Sequence, residues 1–237
     1  NNSETENTFG KPKPAKDFNI NDSFVKMLPY ACENIEEMVF FYIYGVLFSP
    51  TYRENYKELL SMDFPRISFP SNYSSFQKMS ELGKTLAGYH LFTDEKVTNV
   101  SDIKSNVSDF NVFKIRNHRY ENGNIVINLF DYKDPLVIYD VPPNTWDFII
   151  GGIPQLDRWL SLRKYTKDKN NIKKMHRGLT KSELEYLFKM INAFTLTNEL
   201  LPLLDDVYRD IEHDVFPISF EREHHKKSIS ERSLFDF

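Results

Sequence analysis

At 237 residues, 41% hydrophobic and 15% aromatic, the chain can bury a substantial core as one large domain or two small ones. Its formal net charge of −4 excludes the overall basic footprint that gives most isolated nucleic-acid-binding domains their affinity, so such a role must rest on local patches. The single cysteine, Cys32, excludes an internal disulfide and a multi-cysteine zinc site. The longest apolar run, Met38 to Phe48, is too short to span a bilayer, and the polar N-terminus has no signal-peptide pattern. A cytoplasmic protein without membrane contact is expected, and Asn1 in place of an initiating Met suggests a piece of a longer polypeptide.

The stretch from Asn1 to about Asp22 is polar, with Lys-Pro-Lys-Pro at 11–14, and residues 1–27 are expected to form a flexible linker. Asn34 followed by Glu37 has capping-box character and opens an intensely apolar helix that stops at Ser49-Pro50. Because that helix is apolar nearly all round, it is expected to be buried all round. Pro50 can start a second helix through Tyr52, Tyr56 and Leu59-Leu60, and residues 64–70, F-P-R-I-S-F-P, read as an extended connector. Phe76, Met79, Leu82, Leu86, Ala87 and Leu91 have the spacing of a third helix, with His90 as a hydrogen-bonded core histidine.

After a polar loop from Val97 to Phe110 come V-F-K-I-R-N-H-R-Y, I-V-I-N-L-F and L-V-I-Y-D-V, separated by Glu121-Asn122-Gly123-Asn124 and Tyr132-Lys133-Asp134-Pro135. Two turn signals between three strands predict an antiparallel meander over residues 110–142. Strict alternation in its first strand puts Val112, Lys114, Arg116, His118 and Tyr120 on one face and Phe113, Ile115, Asn117 and Arg119 on the other. Neither face is apolar throughout, so this strand is expected at an edge or a functional surface.

Gly151-Gly152 then turn the chain, and Pro154 stands where a first helical position would be, opening a short helix on Leu156, Trp159, Leu160 and Arg163. Residues 164–178 form a basic loop. Thr180 with Glu183 is a capping box, followed by a long apolar helix for which Pro202 is the expected kink or end. Residues 216–237 form a charged tail.

The chemistry-bearing motifs are mostly absent. There is no P-loop, dinucleotide-binding glycine fingerprint or nucleophile elbow. Asp140-Val141-Pro142-Pro143-Asn144 is superficially similar to the Asp/Asn-Pro-Pro-aromatic signature of amino-methyltransferases, but it has an intruding valine and no aromatic residue, so a strand-ending turn is the better reading. His224-His225, flanked by Glu221 and Glu223, lacks the supporting shell of a metal site. Two basic groups remain: Lys114, Arg116, Asn117, His118 and Arg119 on and beside a strand, and Arg163, Lys164, Lys167, Lys169, Lys173, Lys174 and Arg177 in and before the loop. Arg and Asn can read base edges bidentately, whereas loop lysines serve chiefly as phosphate contacts. Taken alone, either group is better explained as an ordinary solvated strand or loop.

Several longer segments carry a resemblance. They are F-F-Y-I-Y-G-V-L-F-S-P-T-Y-R-E-N-Y at 40–56, F-P-R-I-S-F-P at 64–70, the Leu-Gly-Lys-Thr-Leu-Ala-Gly-Tyr-His-Leu helix at 82–91 and W-D-F-I-I-G-G-I-P-Q-L-D-R-W-L-S-L-R-K at 146–164. Together they resemble the C-terminal specificity part of type ISP single-polypeptide restriction-modification enzymes and their relatives with a fused adenine methyltransferase. The helix at 179–194, L-T-K-S-E-L-E-Y-L-F-K-M-I-N-A-F, is similar to that family's closing helix. Two departures stand out: Ile153-Pro154 replace the aromatic residue usual after Gly-Gly, and the basic loop looks longer than usual.

The resemblance implies an α+β target recognition domain over residues 28–215: helices at 28–95, the sheet at 110–142, and helices at 146–208 with the basic loop. It implies a loop-and-sheet surface set in the major groove of double-stranded DNA, directing an attached methyltransferase and nuclease. In that family catalysis lies upstream, in an N6-adenine methyltransferase domain using S-adenosylmethionine and a nuclease or translocase domain using Mg. This fragment is therefore expected to be non-catalytic and to hold no cofactor or metal. The alternative function is a structural docking module between methyltransferase and motor or nuclease domains, without direct base reading. An independent small enzyme would need a deep pocket with converging polar groups.

Overall fold

Two apolar clusters, one helical and one built on a small sheet, share a single long helix in the computed structural model, which describes residues 20–107, 113–165 and 178–217. The helical part comprises α1 (Asp22–Val25), α2 (Ile35–Phe48), α3 (Pro50–Asn55), α4 (Lys57–Met62) and α5 (Tyr73–His90). Ile20, Phe24 and Val25 pack against this cluster, so ordered chain begins before the expected linker boundary because these side chains have apolar surface to bury.

Two expectations for α2 fail. Asn34 occupies its N-cap position in a left-handed conformation, φ 58°, and makes no side-chain cap bond. A capping side chain normally reaches the first-turn amides from an extended backbone, which Asn34 does not have. Nor is the helix buried all round: Ile35, Val39, Tyr42, Gly45 and Val46 turn inward, whereas Phe40 is 54% exposed. The helix has one neighbour of comparable length, α5, and a Cβ added at Gly83 would run into the Phe41 carbonyl. One added at Gly45 would sit 2.8 Å from Met79 Sδ. The two glycines let the helices approach closely enough to interlock.

The helical cluster is also tied by polar groups. Asp205, buried on the last helix, accepts hydrogen bonds from Ser49 Oγ at 2.6 Å, Thr51 N at 2.8 Å and Thr51 Oγ1 at 2.8 Å, gripping the start of α3. Burial pushes its carboxyl up, but these bonds and the Arg209 guanidinium outweigh it and hold the group below the usual carboxylate range. His90 is a core histidine as expected: Nδ1 lies 2.6 Å from Tyr44 Oη and Nε2 3.1 Å from Thr197 Oγ1.

After α6 (Glu95–Thr98) the chain forms β1 (Ile115–Glu121), β2 (Asn124–Leu129) and β3 (Leu136–Ile138), an antiparallel meander in the order β1-β2-β3. Asn122 and Gly123, at φ 51° and 77°, supply the two positive angles of a two-residue hairpin turn matched to strand twist. α7 (Pro143–Trp146) leads into a tight ribbon, β4 (Ile149–Ile150) and β5 (Ile153–Pro154), turning on Gly151 and Gly152. Pro154 therefore ends a strand and sits at the N-cap of α8 (Gln155–Ser161) rather than in its first turn.

The final helix, α9 (Lys181–Glu212), opens with the expected capping box: Glu183 N donates to Thr180 Oγ1 at 3.3 Å and Thr180 N to Glu183 Oε2 at 3.0 Å. It neither stops at Pro202 nor loses its register there. Leu200, Leu204, Tyr208 and Ile211 lie buried on both sides of the proline, and their packing outweighs the one missing donor. Earlier on α9, Leu184, Leu187, Phe188 and Ile191 belong to the sheet cluster, so one helix completes both cores. No helix among the described residues is long and apolar enough to cross a membrane.

Candidate nucleic-acid interface

A bulge in β1 decides which of its polar side chains face outward. Ile115 pairs with Leu129 but Asn117 pairs with Asn128, leaving Arg116 as the extra residue. Strict alternation is thereby overturned, because an inserted residue shifts the phase of everything after it. Phe113 and Ile115 point into the core before the bulge, and His118 and Tyr120 turn inward after it; Lys114, Arg116, Asn117 and Arg119 are exposed.

Each exposed group has a partner that orders it. The Arg116 guanidinium lies 4.9 Å from the centre of the Phe130 ring, which is 40% exposed and meets the edge of Tyr165. Stacking uses the face of the guanidinium and leaves its planar N–H fork open. Asn128 Nδ2 donates to Asn117 Oδ1 at 2.5 Å across the strand pair. Arg119 Nη2 lies 2.7 Å from Glu121 Oε1, and that hydrogen bond raises the already high guanidinium pKa. Lys114 Nζ is 3.1 Å from Asp131.

His118 does not share this face. Its side chain is 1% exposed, its Nε2 lies 2.8 Å from Asp157 Oδ1 on α8, and its ring meets Trp146, which itself stacks on Tyr120. Burial pushes its pKa down and the Lys164 charge adds to this, with Asp157 opposing both. A neutral ring with its proton on Nε2 satisfies Asp157 and leaves Nδ1, which has no partner, as a bare acceptor. The sequence placed His118 among the candidate base readers; here it fastens β1 to α8.

The second basic group divides in the same way. Arg163 is inward-packed: its guanidinium lies 3.5 Å from the Trp159 ring centre, Nη1 donates to the Trp159 carbonyl at 3.1 Å and Nε lies 3.3 Å from Glu183. It joins the end of α8 to the start of α9. Lys164 is half-buried, and its backbone bridges Ile115. Lys167, Lys169, Lys173, Lys174 and Arg177 lie outside the described residues, as do His224 and His225. The ends of the lysine-rich stretch are nevertheless located. Tyr165 N donates to the Ile115 carbonyl at 2.9 Å, and Phe113 and Leu179 exchange two backbone bonds of 3.0 and 2.7 Å. Both ends are thus attached to the start of the strand that carries the outward polar row.

Sequence reasoning missed Glu121, Asn128 and Phe130 as members of this surface. The Asn122-Gly123 turn held the signal: a two-residue loop pairs Glu121 with Asn124 and brings Asn117 opposite Asn128. Among the described residues, no group of three or more His, Cys, Asp or Glu side chains could hold a metal ion.

The surface can be set beside known proteins. The Type ISP C-terminal specificity domain family model matches residues 1–189. No curated protein matches the chain. Among solved structures, it resembles a nuclease-deletion mutant of the Type ISP restriction-modification enzyme LlaGI in complex with a DNA substrate mimic, at 22% identity and a TM-score of 0.51 over 70% of this chain and 13% of that one. It also resembles the ATP-dependent Type ISP restriction-modification enzyme LlaBIII bound to DNA, at 22% identity and a TM-score of 0.57 over 78% of this chain and 12% of that one. A third likeness is to DrdV in a DNA complex, at 21% identity and a TM-score of 0.52 over 79% of this chain and 19% of that one. At these identities the likeness is one of fold, and the chain spans less than a fifth of each of those proteins. With the family pattern extending over residues 1–189 of 237, the chain belongs to the Type ISP C-terminal specificity domain family.

Proposed function

We propose that this chain is the part of a restriction-modification protein that recognises a double-stranded DNA sequence. The observation that carries this reading is the outward polar row of the meander. Arg116, Asn117 and Arg119 stand side by side, each held by a neighbour on the same surface. A two-stranded ribbon fits the B-DNA major groove, where Arg reads guanine and Asn reads adenine by paired hydrogen bonds. Lys167, Lys169, Lys173, Lys174 and Arg177 would neutralise phosphates beside the ribbon, which fits the attachment of both ends of their stretch to β1. Arg163 and His118 support the scaffold in this scheme, and Lys114 and Lys164 flank it. A purely structural docking role leaves the ordered polar row unexplained.

Adenine methylation with S-adenosylmethionine, and cleavage or translocation, would belong to attached domains that this chain directs. The test is a binding titration on duplex DNA at two ionic strengths. Phosphate neutralisation predicts affinity falling steeply with salt, with a logarithmic slope of about 0.9 per phosphate contacted. Arg116→Ala should relax discrimination among sequences, and Lys173→Ala should weaken binding to all of them alike. A salt-independent affinity, or equal losses for both variants on every duplex, overturns the reading.

A further inference from the structure

We infer that Phe130, just after β2, is a positioning residue that holds the Arg116 guanidinium for reading a guanine; the inference rests on the DNA-reading role proposed above. Arg116 is set apart from the neighbouring cations by what holds it. Lys114 Nζ lies 3.1 Å from Asp131 and Arg119 Nη2 lies 2.7 Å from Glu121, so both are committed in part to carboxylates. Among the described residues Arg116 pairs with no carboxylate, and its guanidinium carbon stands 4.9 Å from the centre of the Phe130 ring. A ring attracts a cation through its face and takes up none of its N–H groups. Arg116 therefore keeps its donors for a ligand, and the contact supplies direction.

The ring is itself fixed in place. Phe130 N donates to the Lys114 carbonyl at 2.9 Å, carrying the pairing of the two strands one step past the end of β2. Tyr165 meets the ring edge-on, with centroids 5.3 Å apart and planes at 69°, and Tyr165 N donates to the Ile115 carbonyl at 2.9 Å. Ring and flank are thus anchored on Lys114 and Ile115, the two residues that lead into Arg116. Phe130 belongs to neither apolar cluster and is 40% exposed, so completing a core does not account for it.

An arginine fork matches the paired N7 and O6 acceptors of guanine, and no other base offers two acceptors side by side in the major groove. An unsupported arginine must give up its rotamer freedom to make that contact. Phe130 restricts those rotamers before DNA arrives, so its effect falls on the base contact and not on phosphate binding. Phe130→Leu keeps an apolar side chain and removes the ring face, whereas Phe130→Tyr keeps the face. Thermal denaturation of each establishes that it folds.

The experiment is selection from a library of randomised duplexes with the full 237-residue chain, comparing wild type, Arg116→Ala, Phe130→Leu, Phe130→Tyr and the double variant Arg116→Ala/Phe130→Leu. In the expected result wild type selects guanine at one position and Arg116→Ala abolishes that preference. Phe130→Leu lowers it about fivefold, with other positions within about twofold and the salt dependence unchanged, and Phe130→Tyr retains it. The double variant matches Arg116→Ala alone, because Phe130 acts through Arg116. If Arg116→Ala relaxes a position that Phe130→Leu leaves intact, or if the base lost there is not guanine, the inference fails and the DNA-reading role stands. Weaker binding of Phe130→Leu to every duplex alike, or additive losses in the double variant, also overturns it, since a merely structural residue behaves in that way. If wild type selects no sequence, the DNA-reading role fails and takes the inference with it.

Discussion

The helical half and the sheet half of this domain use polar groups in opposite ways. In the helical half the decisive polar side chain, Asp205, is buried, and its work is internal: it closes the start of α3 with bonds from Ser49 and Thr51. In the sheet half the polar side chains of β1, His118 apart, stand outside, and Arg116, Asn117 and Arg119 meet neighbours on β1, on β2 and in the following turn. A substitution in the first half should therefore register as lost stability. One in the second half should register as altered binding with little loss of stability.

The largest effect is expected at the α2–α5 crossing. Gly83→Ala inserts a methyl group into the Phe41 carbonyl, and the helices must part, costing about 3 kcal/mol by chemical denaturation, the upper range for overpacking. A cost under about 0.5 kcal/mol, the range of ordinary surface sites, would mean that the crossing is not tightly fitted. Asp205→Ala should cost about 2 to 3 kcal/mol, because Ser49 and Thr51 lose a charged acceptor in a buried site. The Asp205 carboxyl titrates below its ordinary value. Its contribution is therefore full above the unfolded value of about 3.9 and fades as pH falls through the folded one.

Both halves share one acid-sensitive feature. Burial lowers the pKa of His90 in the helical core and of His118 in the sheet. A neutral histidine in the folded state contributes stability above the unfolded pKa of about 6.5, and loses it as pH falls below that value. The unfolding temperature should drop between pH 7.5 and 5.5, and His118→Gln should flatten that dependence; an unchanged slope would remove His118 from the account. Thr180→Ala, which deletes the capping box of the shared helix, should cost about 1 kcal/mol. Arg116→Ala should shift stability by less than about 0.5 kcal/mol, since only a surface stacking contact is lost. The contrast between the halves sharpens if that last variant is also the one whose DNA preference changes most.

Local signals carried most of the fold. The spacing of Phe76, Met79, Leu86 and Ala87 marked α5, Thr180 and Glu183 marked the start of α9, and Asn122-Gly123 marked the hairpin. What stayed hidden depended on contacts distant in sequence or on a single phase shift. Nothing local singles out Asp205, because its partners Ser49 and Thr51 lie more than a hundred and fifty residues away along the chain. The outward row of β1 was only half legible. The residue types were visible, but the bulge at Arg116, which sets Asn117 on the same outward side as Arg116 and His118 on the inward side with Ile115, left no mark in the alternation itself. As a helix end, Pro202 misled for a related reason: its local cost was plain, whereas the tertiary packing that carries the helix past it was not.

The attachment at Ile115 and Phe113 has a consequence for how such a surface diversifies. Tyr165 and Leu179 are hydrogen-bonded to residues two apart, Ile115 at the start of β1 and Phe113 just before it, so the intervening segment leaves and returns through a doorway of fixed width. Whatever is threaded between those posts can be lengthened or replaced without re-spacing the sheet. Each doubling of length adds only about 0.6 kcal/mol of closure entropy. The frame can thus stay constant while the inserted segment is exchanged, like an interchangeable bit in a fixed chuck.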